Sequence, residues 1–282
     1  MKKAKKSMFD VSLWKNTAEY NQYALRLYEM CLARGSWVMP DTVDTRFLET
    51  VLCRDGMAVF FRDDVLGYTV LPVANKGMLD VYGNMQTYYA QGLNGYRVPL
   101  DSSNSVIIYN NYTRTGNLPD IELYAQRLYD YDCVIDVNVR AQKTPVLVIC
   151  DKSQKIAMEN AYQKIDGNQP VIFAKPNFDE NNIRSISTGA PYVADKIYEI
   201  KMNIWNEALT SLGIPNENIA KKERLITDEV TRSQGATIAC RNSPEKMRQI
   251  ACEQINRLFG LDTSYHFDTI EITQKGSETE NE

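Results

Sequence analysis

Three carboxylates in one short segment are the first residues of this chain whose type and spacing suggest chemistry. Asp130, Asp132 and Asp136 resemble part of a two-metal nuclease cluster. On a helix, Asp132 and Asp136 share one face, whereas Asp130 points elsewhere, and no further carboxylate with motif spacing supports them. We therefore predict no metal site here, but a solvated or intersubunit helix face. A metal-dependent nuclease is the enzymatic alternative, and metal-stimulated cleavage would support it.

Other residue types that commonly carry catalysis are scarce. The only histidine, His266, stands between two aromatic residues in a predicted strand, and one histidine without thiolates in motif spacing cannot build a zinc site. No G-x-x-x-x-G-K-[ST] motif is present to cradle the phosphates of ATP. The six cysteines contain no C-x-x-C pair, and we expect them to be reduced. The sequence thus predicts no catalytic residues, no cofactor and no metal.

Two groups of basic residues are candidates for contact with phosphate. The first is an N-terminal arm, which suits phosphate binding by counterion release but is equally typical of a solubilising tail. The second lies in a polar connector that also contains acidic residues, and charge patterning alone favours a solvated loop there. The arm comprises Lys2, Lys3, Lys5 and Lys6, and the connector contains Lys221, Lys222, Arg224 and Arg232.

Composition limits the classes of function. The chain has 282 residues, of which 44% are hydrophobic, so it can bury a full core. A net charge of -4 argues against coating DNA by bulk electrostatics, so any contact with nucleic acid must be local. No apolar run approaches the ~18 residues that span a bilayer, and no apolar segment of a signal peptide follows the basic start. We expect a globular protein that is neither secreted nor embedded in a membrane.

The first part of the chain should contain two helices followed by a β-rich module. Apolar residues at helical spacing predict a helix over 17–34, and Asp44 is placed to cap a shorter helix that ends at Asp55-Gly56. Short β-prone runs separated by turn residues then extend from 57 to 111. These runs are MAVFFR, VLGYTV, LDVYG, QTYYA and SVIIYNN.

Two long helices, over 120–140 and 191–212, should flank a small α/β unit. Within that unit the sequence predicts β runs at 145–150 and 170–174 with a helical piece at 156–164. A connector from 216 to 242 follows, longer than the about 12 to 15 residues above which loops are usually functional or disordered. Ser243 and Pro244 suit the start of a last helix that ends at Gly260. A terminal strand with Tyr265, Phe267 and Ile272 and a disordered tail complete the chain.

Six ordered segments indicate a family. The chain closely resembles the upper-collar, or head-tail connector, portal proteins of small short-tailed bacteriophages with protein-primed linear genomes. The resemblance covers nearly the whole chain and is weakest in the first hundred residues. The segments are VIIYNN (106–111), AQKTPVLV (141–148), GNQPVIFA (167–174), APYVADK (190–196), WNEALTSLGI (205–214) and KKERLITDEV (221–230).

The resemblance implies an α+β portal fold with long stem helices, a small α/β clip inserted between them, a β-rich wing and a helical crown. The N-terminal arm and wing would occupy 1–119, and the stem helices 120–140 and 190–214. The clip would occupy 141–189, the tunnel loop 215–242, and the crown helix, terminal strand and tail 243–282.

The resemblance also implies partners and positions. The subunits would form a dodecameric ring at the capsid vertex, assembled in the host cytoplasm, through which double-stranded DNA is packaged, retained and ejected. Contacts would be with the packaging ATPase, capsid and scaffolding proteins and lower-collar or tail proteins. The N-terminal arm matches one that contacts packaging RNA in relatives.

The resemblance also assigns positions in the channel. Lys196 matches one of two lysines that line the channel of relatives. The position of the second lysine is occupied here by Ser187, and Arg184 is close by in sequence. Lys221 and Lys222 match the basic pair of the tunnel loop.

One non-enzymatic alternative stays open at this stage. A monomeric nucleic-acid-binding module would use the same cations but would bind DNA tightly and form no rings. A closed ring with a central hole would separate the portal interpretation both from this module and from the nuclease.

Overall fold

The computed structural model describes residues 8–75, 77, 79–142, 146–149, 171–174, 191–216 and 227–268. The chain divides into two compact units. The first unit combines Met1–Gln126 with Ile204–Glu282, and the second unit is Arg127–Asn203. Among the described residues, no helix has the length and apolar character needed to cross a membrane.

The described helices are α1 (Met8–Leu32), α2 (Thr45–Asp55), α3 (Leu118–Ala141), α4 (Ala194–Ser211) and α5 (Thr227–Phe259). The strands are β1 (Gly35–Val38), β2 (Met57–Asp63), β3 (Gly67–Asn75), β4 (Thr87–Gln91), β5 (Arg97–Asp101), β6 (Ser105–Tyr109), β7 (Val146–Ile149), β8 (Val171–Ala174) and β9 (Ser264–Phe267). Helix α1 begins earlier than predicted, at Met8 rather than at Thr17.

Helix α2 begins and ends where its capping residues predict. The carboxylate of Asp44 accepts a hydrogen bond from the Phe47 amide at 2.9 Å, which satisfies a donor that the first turn leaves unpaired. Gly56 ends the helix in the left-handed region with φ 80, where a Cβ would collide with the backbone of residues 114–116. Both predicted boundaries are confirmed.

Replacing Asp44 with alanine should destabilise the protein by about 1 kcal/mol, because the Phe47 amide loses its acceptor. Chemical denaturation compared with the parent measures this change. Asp41→Ala is the matched control, since Asp41 is exposed and caps no helix, and it should change stability by less than about 0.5 kcal/mol. Equal effects of the two substitutions would show that the cap contributes nothing.

The β-rich module is a five-stranded antiparallel sheet in the order β5-β4-β3-β2-β6. Alternate side chains of β2 enter two different cores. Ala58 and Phe60 pack with residues of α2 and α5, whereas Val59 and Phe61 pack with Tyr88 and other residues of β4 and β5. Burial on both faces explains why the sequence of β2 is continuously apolar rather than alternating.

One predicted strand in this module is wrong. The segment LDVYG contributes only an isolated bridge between Leu79 and Met85. The carboxylate of Asp80 instead accepts from the amides of Tyr82 and Asn84 at 2.8 and 2.7 Å, which folds the segment into a turn.

Two strands were not predicted. Strand β5 contains Pro99, but β5 lies at the edge of its sheet, where a missing N-H is tolerated. Strand β1 is short and pairs antiparallel with β9, so that His266 lies opposite Ser36. The predicted terminal strand is confirmed over Ser264–Phe267, while Ile272 and the tail lie outside the described residues.

The predicted start of the last helix at Ser243 is wrong. Helix α5 begins at Thr227 and contains Pro244 in its interior. The hydroxyl of Ser243 does not cap a helix but accepts from the Tyr112 amide at 3.0 Å. The carbonyl of Pro244 accepts from Arg248 at 3.2 Å. Residues 227–242 of the predicted tunnel loop are therefore helical, whereas 217–226 lie outside the described residues.

The two predicted long helices and both β runs of the α/β unit are confirmed. They correspond to α3, α4, β7 and β8, and β7 pairs parallel with β8. The predicted helical piece at 156–164 lies outside the described residues.

Candidate functional site

A buried ion pair lies at the centre of the first unit. Arg248 is fully buried in α5, and its guanidinium donates through all three nitrogens. Nε and Nη2 donate to the two carboxylate oxygens of Glu49, both at 2.9 Å. Nη1 donates to the carbonyls of Asn110 and Pro244 at 2.9 and 3.2 Å, and Nη2 also donates to Asn110 Oδ1 at 3.0 Å. All five guanidinium hydrogens are thus used.

The electrostatics of this pair favour the charged forms of both partners. Burial by itself raises the pKa of Glu49, but the charge and hydrogen bonds of Arg248 outweigh burial, and the pKa of Glu49 lies below its ordinary value. Burial likewise opposes the charge of Arg248, and Glu49 outweighs it, so that the pKa of Arg248 is raised. Trp37 Nε1 donates a further hydrogen bond to Glu49 at 2.8 Å.

A second buried arginine extends this cluster. Arg34 Nη2 donates to Asn110 Oδ1 at 3.0 Å and to Asn117 Oδ1 at 3.3 Å, and Nη1 donates to the Leu212 carbonyl at 3.3 Å. Asn110 Nδ2 donates to Asn117 Oδ1 at 2.9 Å. The cluster therefore fastens the segments after α1, β6 and α4 to α2 and α5. Most of its polar groups are engaged in structural hydrogen bonds, so the cluster positions backbone rather than performing chemistry.

Sequence reasoning missed this cluster. Glu49 and Arg248 are 199 residues apart, and each lies within an apolar helical pattern. Glu49 is next to Leu48 and two residues before Val51, and Arg248 lies three residues before Ala251. A charged residue on a buried helix face was the available signal, because buried charges are almost always paired.

In the second unit, side chains link α3 to α4. Lys201 Nζ and Asp132 Oδ1 are 2.5 Å apart, and their side chains are only 16% and 29% exposed. The amide group of Asn138 accepts from the Val193 amide at 3.0 Å and donates to the Pro191 carbonyl at 2.9 Å. Both contacts fix the start of α4 against α3.

Two of the three carboxylates that resembled a metal site form ion pairs instead. Asp132 pairs with Lys201, and Asp136 pairs with Arg140 at 3.0 Å. Within the described ranges, no group of His, Cys, Asp or Glu side chains could hold a metal ion. One pocket among these residues is an open groove of about 520 Å³ between the sheet and α5, and Arg257 is the one charged residue in its lining.

Exposed apolar side chains lie on both helices in the described part of the second unit. On α3, Val134 and Val137 are 50% and 65% exposed, and on α4, Tyr198 and Ile200 are 55% and 44% exposed. Val134 and Val137 are three residues apart and share one face of α3, whereas Tyr198 and Ile200 are two residues apart and point to different sides of α4. Apolar side chains that share a helix face and stay exposed on one chain are typical of a surface covered by a partner.

Most of the basic residues predicted to contact nucleic acid lie outside the described residues. Lys196 is exposed on α4 and has no ion pair among the residues that the structure describes. Arg232 falls within α5. Lys2, Lys3, Lys5, Lys6, Lys221, Lys222 and Arg224 lie outside the described residues, as do Arg184 and Ser187. Of the predicted cations, the described part of the chain therefore includes only Lys196 and Arg232.

This chain matches a known protein family, and its fold is similar to that of a solved structure. The family described as Phage Connector (GP10) matches residues 4–270. The chain is similar to a chain in the portal and tail of native bacteriophage P68, with 15% identity, coverage of 96% of this chain and 94% of that chain, and a TM-score of 0.50. This likeness confirms the predicted α+β portal fold. A chain of the virion of a native gene transfer agent particle matches with 11% identity, coverage of 93% and 84%, and a TM-score of 0.38, which is too distant to define a fold.

Proposed function

The chain belongs to the phage connector (GP10) family, and from this premise we propose that it assembles into a closed dodecameric ring around a channel for double-stranded DNA. It is a portal protein of the virion, as the resemblance in its sequence predicted, and the family is a structural one. Neither a metal-dependent nuclease nor a monomeric nucleic-acid-binding module is supported. In this proposal the protein catalyses no reaction, and the energy for DNA movement comes from another protein.

The exposed apolar side chains of α3 and α4 are the observation that supports the ring. A ring subunit presents two different surfaces, one to each neighbour, and repetition of that contact closes the assembly. Val134 and Val137 on α3 and Tyr198 and Ile200 on α4 supply apolar side chains suited to such contacts. The internal bonds of Asp132 and Asn138 keep these helices in a fixed arrangement, which a repeated contact needs.

The charge of the chain suits a passive channel. A channel must attract DNA weakly, because a high affinity at each base step would become a barrier to sliding. A net charge of -4 with only a few cations of each subunit at the channel meets this need, and phosphate contacts carry no sequence information. We propose that Lys196 is one of these cations, and that Lys221, Lys222, Arg224 and Arg232 line the same channel.

The remaining partners follow from the family's position between head and tail. We propose that the second unit contains the clip that docks the packaging ATPase, and that the first unit contains the wing that contacts capsid and scaffolding proteins. Tail proteins would then replace the ATPase after packaging. The arm with Lys2, Lys3, Lys5 and Lys6 would contact packaging RNA if this phage uses one.

Duplex binding by the assembled protein tests the channel. We expect weak binding without sequence preference, falling steeply with salt. Each phosphate contact contributes about 0.9 to the slope of log affinity against log salt, so Lys196→Ala should flatten that slope. Lys246→Ala is the matched control, since Lys246 is an exposed lysine of the first unit, and it should leave the slope unchanged. Fluorescence anisotropy of labelled duplexes of two unrelated sequences gives both quantities.

Sequence-specific binding, or binding that salt does not weaken, would contradict the passive channel. If Lys196→Ala and Lys246→Ala flatten the slope equally, the channel exists without the proposed role of Lys196.

A further inference from the structure

Two cysteines meet in the interior of the first unit. Cys31, at the end of α1, and Cys53, in α2, have sulfur atoms 3.6 Å apart. Both are buried, with exposed fractions of 0% and 1%, and both are free thiols. A disulfide bond requires about 2.05 Å between the sulfurs, so less than 2 Å of relative sulfur movement separates this pair from a bond.

The surroundings lower the pKa of Cys31, whose thiol donates to Asn117 Oδ1 at 3.8 Å when it is protonated. The thiol of Cys53 donates a hydrogen bond to the Cys31 sulfur, and this bond lowers the pKa of Cys31 to about 7, against the opposing effect of burial and with the help of the Arg34 charge. The pKa of Cys53 is raised, because its proton is held in that bond. Arg34 Nε is buried without a hydrogen-bond acceptor among the described residues. A thiolate beside a cation and a second thiol is the arrangement that oxidation requires.

We propose that Cys31 and Cys53 form a conditional disulfide, open in the reducing cytoplasm where the protein assembles and closed by peroxide once the particle is outside the cell. The inference draws on the virion location of the protein and is independent of the ring and the channel. Reduced thiols are normal in the cytosol, whereas a released particle persists in an oxidising medium.

The chemistry balances with hydrogen peroxide as the oxidant. The Cys31 thiolate attacks one peroxide oxygen, the O-O bond breaks, and Cys31 sulfenic acid and hydroxide form. The Cys53 sulfur then attacks the Cys31 sulfur, the S-O bond breaks, and the thiol proton leaves with the hydroxyl group as water. The hydroxide takes up the proton that Cys31 released when it ionised and becomes a second water. The two thiols lose two electrons in total, and one peroxide is reduced to two waters.

Burial makes the proposed site selective for the size of the oxidant. Peroxide is nearly as small as water and reaches buried groups during local opening, whereas an aromatic disulfide reagent does not fit beside two enclosed sulfurs. Cys240 is exposed on α5 and is open to both reagents. The order of reactivity towards large reagents should therefore be Cys240 first, with Cys31 and Cys53 protected.

Closure should stabilise the first unit. The bond would join α1 to α2 and restrict the unfolded chain between residues 31 and 53, and a loop of this length should raise the melting temperature by roughly 5–10 °C.

Disulfide mapping of the full-length protein tests the proposal. The purified protein is treated with dilute peroxide at pH 7, denatured in N-ethylmaleimide and digested with trypsin, which cuts at Arg34 and Arg46 between the two cysteines. We expect one linked Cys31–Cys53 peptide pair that dithiothreitol separates, together with the rise in melting temperature. Cys240→Ser should keep the link, and Cys53→Ser should lose both the link and the thermal gain.

Two results would overturn the proposal. One is full maleimide labelling of Cys31 and Cys53 after a treatment that oxidises Cys240. The other is a link from either buried cysteine to a different cysteine with none between the pair.

Discussion

Replacing Arg248 with methionine should destabilise the protein by about 3 to 5 kcal/mol, the effect of removing one partner of a buried ion pair. Glu49 would keep its charge, or take up a proton, in a site where its carboxylate is 5% exposed. The carbonyl of Asn110 would also lose a donor. Denaturant unfolding at one fixed protein concentration, below that of ring assembly, measures the loss.

Two matched variants separate the ion pair from simple truncation of an arginine. Arg257→Met changes an exposed arginine further along α5. This substitution should lower the free energy of unfolding by less than about 0.5 kcal/mol. Adding Glu49→Gln to Arg248→Met should recover part of the stability, because no buried charge is then left unpaired. A loss below about 1 kcal/mol for Arg248→Met would mean that the cluster does not hold the first unit together.

Aspartate at both Val134 and Val137 should abolish ring formation. These side chains are 50% and 65% exposed on one chain, so the substitutions should leave the fold intact. In the proposed ring they face a neighbour, where an unpaired carboxylate costs several kcal/mol in every contact. Size-exclusion chromatography with light scattering should show monomers or small oligomers in place of rings.

The same positions provide the control for this experiment. Threonine has nearly the shape of valine without a charge, so Val134→Thr with Val137→Thr should still form rings. If the aspartate variant assembles as the parent does, the apolar face of α3 lies outside the subunit contact, and the observation that supports the ring is lost.

Sequence reasoning succeeded where the signals are local. The start of α2 follows from Asp44 and its end from Gly56, because a cap acts within one turn of the chain. Helices α3 and α4 follow from apolar residues at helical spacing, which burial on one side requires. These features need no knowledge of distant segments.

Three failures involve distant partners or competing local signals. Ser243 and Pro244 form a typical helix start, but α5 continues through them while Ser243 binds Tyr112 and Arg248 binds the Pro244 carbonyl. In LDVYG, β-prone Val81 and Tyr82 are overruled by the turn that Asp80 forms. The pairing of Arg248 with Glu49 spans 199 residues, so periodicity alone cannot find it.

The candidate site was predictable only through the resemblance. Charge patterning treated Lys221 and Lys222 as part of a solvated loop and gave no reason to select Lys196. The resemblance implies a channel for these residues, while the described structure contributes the exposed position of Lys196 and the exposed apolar side chains of α3 and α4.

The central claim is that this chain closes into a ring around a hole that admits duplex DNA. Electron microscopy of the purified full-length protein, class-averaged along the symmetry axis, tests it most directly. The account predicts particles of one size with dodecameric symmetry and an open central channel. A population of monomers, dimers or open filaments with no central hole, at every protein concentration tried, would contradict it.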